Sequence, residues 1–187
     1  MAVTTLDPKT ALIVVDLQKG ILSRVDPKVM DGVIKNAVAL LDAFRKRKLP
    51  VVLVNVDGVA PGRNEGARMP ATFPPEFFEF IPELKQQPSD HTVTKRTWGA
   101  FTNTDLDAWL KKELVTQVVV IGVATSAGVE STARFANELG YNVTLATDAM
   151  TDTNPDAHDN SIKRIFPRLG ETGTTAEIIA LLERTRT

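Results

Sequence analysis

The residues of this sequence that could perform chemistry stand where apolar runs end. Asp16 closes the run "ALIVVD" (11–16), and a carboxylate that leaves an apolar strand is partly desolvated, which raises its pKa and suits it to proton transfer. Lys95 has a similar place in "VTKRTWGAF". In "GVATSAG" (122–128) a strand runs directly into a helix, and such a turn offers backbone N–H groups and a positive dipole end to an anion or a nucleophile.

Each of these features also has an ordinary structural interpretation. Asp16 could cap a helix or stand in a turn, and Lys95, like the neighbouring Arg96, could be a solvated cation. Gly128, the best-placed residue of the turn, has no side chain with which to attack a substrate. An acid, a cation and a helix N-terminus that converge at one edge of a sheet nevertheless match the groups that acyl or ether hydrolysis requires.

The elements that must position these residues follow from the hydrophobic pattern. Five β-branched runs predict strands, and most are apolar at successive positions, as expected for strands that are covered on both faces. The runs are 11–16, 50–56, 91–95, 117–123 and 141–149. Because helical patterns separate them, the sequence predicts a parallel, doubly wound sheet with right-handed crossovers. Ligands of such sheets bind at the carboxyl ends of the strands, where the three features lie.

Apolar residues at three-to-four spacing predict the helices between these strands. The predicted helices cover 29–48, 103–114, the stretch from near Gly128 to Gly140, and 176–185. Asn103 or Thr104 is the expected cap of the second helix, and Thr174 with Glu177 forms a capping box before the last.

Composition and charge narrow the function classes. A chain of 187 residues fits one compact domain, 1–187, and a formal charge of −1 with a pI near 6.1 gives no basic surface for nucleic acid or anionic membranes. The absence of cysteine excludes a disulfide framework, a thiolate metal site and a cysteine nucleophile. No secretory pattern is present, and no apolar run approaches the ~20 residues that span a bilayer. We therefore expect a cytoplasmic protein that acts on a small molecule.

One stretch does not fit the alternation of strands and helices. Residues 57–90 contain six prolines and a cluster of aromatic residues, which is too much irregular chain for an idle connection in so small a domain. We interpret this stretch as a cover over the site or as an oligomer surface.

Three motifs together resemble a known family. The segments "ALIVVDLQKGI", "VTKRTWGAF" and "VVVIGVATSAGVESTARFANELGYNVTLATDAMTD" are similar, in the same order and over nearly the whole chain, to the isochorismatase-like hydrolases, also called the cysteine hydrolase superfamily. The resemblance implies a Rossmann-like three-layer α/β/α fold with a six-stranded parallel sheet. It also implies a pocket often completed by a neighbouring subunit, hence a homo-oligomer, either dimer or tetramer, and a non-proline cis peptide near Val123–Ala124 or Ala124–Thr125.

The same resemblance implies a triad of Asp, Lys and Cys, which maps onto Asp16, Lys95 and the position of Gly128. Members that cleave amides use the cysteine thiolate, so this chain cannot follow their mechanism. The branch named for isochorismatase cleaves a vinyl ether without a covalent intermediate, and its members can lack the cysteine. We therefore predict acid-catalysed C–O cleavage of a small anionic metabolite without a cofactor, with Asp16 as the acid. Lys95 should lower the pKa of Asp16, which an anionic substrate would offset.

Further substrate contacts are predicted around this triad. They are Ala124, Thr125 and Ala127 in the turn, together with Arg63, Trp98 and Phe101. Arg63, like Arg68, could instead be a solvated loop residue, and both aromatics could belong to the core. Asp57 has no histidine nearby, so the divalent-metal site of nicotinamidase-like relatives is not predicted. Asp148 and Asp152, at the end of the fifth strand, are expected to be turn and cap residues.

Two other functions remain open at this point. The chain could be a catalytically silent small-molecule-binding protein, or an amidase that uses Thr125, Ser126 or Ser131 as a substitute nucleophile. Such a hydroxyl needs an adjacent base. His91 is expected at the far end of the third strand and His158 on a surface helix, so both histidines are predicted to be structural.

Overall fold

The structure, a computed structural model, describes residues 3–23, 25–65 and 73–184. This part of the chain contains a sheet of six parallel strands. The strands are β1 (Thr10–Val15), β2 (Val51–Val56), β3 (His91–Lys95), β4 (Gln117–Val123), β5 (Asn142–Thr151) and β6 (Glu171–Gly173). Their order across the sheet is β3-β2-β1-β4-β5-β6, which is the order of the Rossmann fold and confirms the predicted doubly wound arrangement.

Helices cover both faces of the sheet. They are α1 (Lys19–Leu22), α2 (Pro27–Lys46), α3 (Leu106–Lys112), α4 (Glu130–Glu138), α5 (Pro155–Asn160), α6 (Phe166–Leu169) and α7 (Thr175–Arg184). Two 3-10 turns (Pro75–Phe78, Pro82–Leu84) and two π-helical turns (Thr125–Val129, Ser161–Ile165) complete the set. The helices α2 and α7 pack on one face and α3, α4 and α6 on the other, so the fold is a three-layer α/β/α structure. Within the described residues, no helix is long and apolar enough to cross a membrane.

The central strand β1 is buried along its whole length. Its side chains alternate between the two faces: Leu12 and Val14 pack toward α2 and α7, whereas Ile13 and Val15 pack toward α3 and α4. Since β1 pairs with β2 on one side and with β4 on the other, the winding of the sheet reverses between β1 and β4. A crevice forms at the carboxyl ends of the strands at such a reversal, and Asp16 lies there.

Several helix ends follow the predicted signals. In the capping box before α7, Thr174 N donates to Glu177 Oε2 at 2.7 Å, and Glu177 N donates to Thr174 Oγ1 at 3.3 Å. Gly140 follows α4 with a φ of +91°, the left-handed conformation that ends many helices. The long helix α2 begins two residues earlier than predicted because Asp26 caps it by accepting from Lys28 N at 2.9 Å.

Two other local expectations are wrong. The N-cap of α3 is Asp105, whose side chain makes no capping bond, and Thr104 Oγ1 only accepts from Leu106 N at 3.4 Å. Strand β5 is longer than predicted, so Asp148 lies inside it rather than at its end. Asp148 nevertheless acts as a cap, because Thr175 N at the start of α7 donates to its Oδ1 at 2.7 Å.

Gly122, in β4, is a position where we expect any side chain to be costly. Its φ is +119°, and a Cβ there would lie 2.0 Å from the carbonyl oxygen of Val15 in the neighbouring β1. Backbone strain and overpacking each cost about 1–3 kcal/mol, so Gly122→Ala is expected to lower the free energy of unfolding by about 2–6 kcal/mol. Urea denaturation followed by circular dichroism measures this change.

The matched control for Gly122→Ala is Gly32→Ala on the exposed face of α2. A Cβ at Gly32 meets no atom within 4 Å, and glycine inside a helix is less stable than alanine by about 0.5–1 kcal/mol. The same substitution should therefore stabilise the protein at position 32. A Gly122→Ala protein as stable as its parent would show that β1 and β4 can separate without cost, contrary to the close approach of their backbones.

Candidate active site

Asp16 and Lys95 form a buried ion pair at the carboxyl edge of the sheet. Lys95 Nζ donates to Asp16 Oδ2 at 2.7 Å and also to the carbonyl oxygen of Thr97 at 3.2 Å. Because β2 lies between β1 and β3, the two backbones are about 10 Å apart, two strand spacings. The long side chain of Lys95 crosses the end of β2 to close this gap. The structure thus brings together the two charged residues that the sequence analysis selected.

The backbone of Asp16 turns sharply as it leaves β1. Its φ is +52°, a left-handed conformation that aspartate adopts more readily than most residues, and its N–H donates to the carbonyl oxygen of Val54 at 2.8 Å. The side chain is 8% exposed. Although Lys95 binds Oδ2, Oδ1 is buried and has no hydrogen-bond partner among the described residues. A buried acceptor without a partner is rare in folded proteins and calls for an explanation.

The environment of Asp16 favours its protonated form more than the sequence suggests. Burial raises the pKa of Asp16 from 3.8 to about 6, because desolvation outweighs the opposing charge and hydrogen bond of Lys95. Both expected effects on this pKa are confirmed in direction, since burial raises it and Lys95 lowers it, and burial is the larger of the two. Roughly a tenth of the molecules carry the proton at neutral pH, before any substrate binds.

Position 128 faces the ion pair. A Cβ built on Gly128 would lie 3.2 Å from Asp16 Oδ2, 3.0 Å from Val15 Cγ1 and 3.3 Å from the carbonyl oxygen of Val123. A side chain here would therefore point at the carboxylate. With glycine, no side chain from the turn fills the space next to Asp16.

The turn that carries Gly128 has an unusual backbone. Thr125–Val129 is π-helical and leads directly into α4. The peptide bond Val123–Ala124 is cis, as the family resemblance implied. π-Helical turns are rare and occur often at functional sites.

The N–H groups of this turn are largely used within the protein. Ser126 N and Oγ both donate to Asp152 Oδ2, at 2.8 and 2.7 Å. Ala127 N and Val129 N share one acceptor, the carbonyl oxygen of Ala124, at 3.1 and 3.2 Å. Within the turn 122–128, Ser126 N and Ala127 N are therefore not available to bind an anion, because the first donates to the Asp152 carboxylate and the second to the carbonyl oxygen of Ala124.

The two histidines lie at different distances from the turn. His91 stacks on Trp109 with ring centroids 4.3 Å apart and lies 3.2 Å from Asp105, and its predicted position at the start of β3 is confirmed. His158, in contrast, reaches the turn: its Nδ1 lies 2.8 Å from Oγ1 of the fully buried Thr125. The prediction that His158 lies on a surface helix is confirmed, since α5 has no buried residue, but its contact with Thr125 was not predicted.

The flanking residues divide between core and surface. Phe101 is buried and stacks on Tyr141 with centroids 6.1 Å apart, so it belongs to the core, which is the alternative that the sequence left open. Trp98, three residues after Lys95, is 68% exposed and is not a core residue. Arg63 is exposed in the loop after β2, and Arg68 lies outside the described residues.

Asp57 forms an ion pair with Arg96 at 3.0 Å near the mouth of the site. In the part of the chain that the structure describes, no three His, Asp or Glu side chains come together as metal ligands.

Residues 73–90, the second of the two described parts of the irregular stretch, pack against the loop that follows Asp16. Gln18 Nε2 donates to the carbonyl oxygens of Val56 and Phe77, both at 3.1 Å, and Gln18 forms an antiparallel bridge with Phe80. These contacts join the stretch to the loop after Asp16, and its role as a cover over the site remains a prediction. The oligomer surface remains a prediction.

Several similarities connect the chain with known proteins. The isochorismatase domain family matches residues 10–177. The isochorismatase family protein YwoC of Bacillus subtilis is 42% identical over 179 residues, which cover 91% of this chain and 93% of YwoC. A solved structure of an isochorismatase family protein from Burkholderia thailandensis superposes with a TM-score of 0.91 at 40% identity, covering 96% of this chain and 98% of that one. More distantly, the ureidoacrylate amidohydrolase RutB of Agrobacterium fabrum is 28% identical over 183 residues, which cover 81% of this chain and 80% of RutB.

Proposed function

We propose a function from the premise that this chain belongs to the isochorismatase family and is a hydrolase of that family. The proposed reaction is cleavage of a vinyl ether, or a similar C–O bond, in a small anionic metabolite, without a covalent intermediate. Asp16 is the proposed acid. The observation that carries this proposal is the carboxyl group of Asp16, which is buried, has a pKa raised to about 6 and keeps Oδ1 free of partners among the described residues.

The proposed reaction begins with transfer of the Asp16 proton to the terminal carbon of the vinyl ether. This step breaks the C=C double bond and leaves an oxocarbenium ion beside the Asp16 carboxylate. Water adds to the cationic carbon and returns one proton to Asp16. The resulting hemiketal separates into a ketone and an alcohol, so the net reaction consumes one water and regenerates the acid.

Lys95 determines which carboxyl oxygen holds the proton. Because its ammonium group donates to Oδ2, that oxygen must remain an acceptor, and the proton is expected on Oδ1. After the transfer, the same hydrogen bond stabilises the Asp16 carboxylate. A negatively charged substrate would raise the pKa of Asp16 further and increase the protonated fraction.

The amidase alternative has one observation in its favour. His158 lies within hydrogen-bond distance of Thr125, one of the candidate nucleophiles, as a general base would. Thr125, however, is fully buried, and Ser126 is bound to Asp152 instead of to a base. These contacts favour the acid mechanism over a hydroxyl nucleophile.

Turnover of isochorismate as a function of pH tests the proposal. If Asp16 acts as an acid, kcat/KM falls about tenfold per pH unit as pH rises above about 6, because the protonated form of the free enzyme disappears. A general-base role for Asp16 predicts the opposite slope. Hydrolysis of simple amides or ureido acids, with no turnover of isochorismate at any pH, would overturn the vinyl-ether assignment.

A further inference from the structure

We propose that His158 is a positioning residue of this site, which acts through the buried hydroxyl of Thr125 to hold the turn that carries Gly128 against Asp16. The inference rests on the proposed location of the active site, but not on the substrate. It starts from the 2.8 Å contact between His158 Nδ1 and Thr125 Oγ1, which the proposed chemistry does not use.

His158 belongs to a segment that binds the turn and the start of α4 at three places. We call residues 152–161 the clamp. Its contacts are Asp152 Oδ2 with Ser126 N and Oγ at 2.8 and 2.7 Å, His158 Nδ1 with Thr125 Oγ1 at 2.8 Å, and Ser161 Oγ with Glu130 Oε2 at 2.5 Å. Three contacts from one segment of the chain restrain both the position and the orientation of the turn.

The turn has hydrogen bonds of its own, to which the clamp adds: Glu130 N donates to the carbonyl oxygen of Thr125, and Thr132 Oγ1 donates to that of Gly128 at 2.7 Å. A single carbonyl oxygen, that of Ala124, accepts from both Ala127 N and Val129 N, so one anchor serves two donors. π-Helical geometry is also uncommon in isolated segments. The clamp supplies contacts that fix the turn from outside.

The position of the turn matters because it forms one wall of the site. A Cβ at Gly128 would already lie 3.0 Å from Val15 and 3.2 Å from Asp16 Oδ2. A shift of the turn would therefore either push position 128 into the Asp16 carboxylate or move it away from that carboxylate. Misplacement of reacting groups by about 1 Å can reduce catalysis about 10²-fold.

The contact between His158 and Thr125 is suited to this role because the Thr125 side chain is fully buried. Without the imidazole, the Thr125 hydroxyl would lose a partner in a place that water does not reach. The turn would also lose one of its contacts with the clamp, and Gly128 would shift with it.

A thiol at position 128 reports the position of the turn without any substrate. In a Gly128→Cys protein, the iodoacetamide alkylation rate is measured across pH, because the rate follows the thiolate fraction. We expect His158→Leu to lower the rate at neutral pH at least about tenfold and to move the midpoint toward the value of about 8.5 for a free thiol. His158→Asn, which keeps a polar atom near the Nδ1 position, should restore most of the rate.

His91→Leu is the matched control. This second histidine is also half-buried and hydrogen-bonded, but at the opposite edge of the sheet, so its loss should leave the rate unchanged. If His158→Leu does not fold, His158→Gln takes its place with the same expected loss of rate, since its amide falls near Nε2 instead of Nδ1.

A double-mutant cycle tests whether His158 acts through Thr125. Thr125→Val removes the hydroxyl at constant shape and should reproduce the effect of His158→Leu, and the two substitutions together should add little to either alone. Additive effects, an equal effect of His91→Leu, or an alkylation rate at position 128 that is unchanged by His158→Leu would each overturn the proposal. Because no substrate is used, these results are independent of whether isochorismate is hydrolysed.

Discussion

Asp16→Asn is expected to reduce kcat/KM for hydrolysis at least about 10²-fold while the fold is retained. An amide has nearly the shape of the carboxyl group and can still accept from Lys95, but it cannot deliver a proton to carbon. Steady-state kinetics with isochorismate measures the loss, and near-ultraviolet circular dichroism verifies the fold. Unchanged turnover by a folded Asp16→Asn protein would remove Asp16 from the mechanism.

The matched control for this substitution is Asp107→Asn. Asp107 also pairs with a lysine, Lys111 at 2.7 Å, but on the exposed side of α3 and away from the site. Its replacement should leave turnover as it is. A comparable loss in both variants would indicate a general effect of charge instead of a missing acid.

Asp16→Asn should also change how stability depends on pH. The pKa of Asp16 is about 6 in the folded state and near 3.8 when unfolded, so the folded state binds the proton more tightly. This contribution to stability is fully present below the unfolded pKa and is lost as pH rises through about 6. The Asp16→Asn protein has no carboxyl group at this position, so its stability does not fall in this way. Relative to its parent, it should become more stable as pH rises from 3.8 to about 6, and thermal unfolding at several pH values measures this difference.

Gly128→Cys is expected to create a reactive thiol and to abolish the native activity. The new side chain points at the ion pair, where the Lys95 ammonium stabilises a thiolate, lowers the thiol pKa and speeds alkylation by iodoacetamide. Since Asp152 already neutralises the beginning of the turn, Lys95 is the main cause of this activation. The thiol also fills the space that we assign to the substrate, so C–O cleavage should fall while weak amidase activity appears.

Gly62→Cys supplies the comparison for that thiol. Gly62 lies in an exposed loop with no atom within 4 Å of a Cβ, so its thiol should react as a free cysteine does. Alkylation at position 128 that is no faster than at position 62 would mean that the turn is buried structure and not part of an active site.

Asp16 and Lys95 could be predicted from the sequence because the end of a strand is recognisable where a run of β-branched residues stops. Asp16 and Lys95 each follow a run of β-branched residues, and in a parallel sheet such ends meet at one edge. The contact of His158 with Thr125 had no such signal. It depends on the direction in which α5 leaves β5, and that direction is set by packing between elements distant in sequence.

Other points that the sequence left open have similar causes. Trp98 and Phe101 are both large aromatics close to Lys95, but the packing of α3 and α4 leaves one exposed and buries the other, which residue type alone does not decide. The strand β6 has three residues, "ETG", with no β-branched run, so only the family resemblance implied a sixth strand. The strength of desolvation at Asp16 likewise depends on the atoms around it, not on its place in the sequence.

Because the Lys95 side chain crosses the end of β2, the proposed chemistry depends on cooperative folding of the sheet. Asp16 and Lys95 are 79 residues apart in the chain, and the strand between them in the sheet must be in place before they can meet. A slip of β3 by one residue would turn Lys95 to the opposite face. The ion pair is therefore a non-local contact that exists only when β1, β2 and β3 are aligned together, and a partly unfolded chain that has released β3 holds an acid without its partner. Loss of function and loss of the sheet should thus be one transition in this protein.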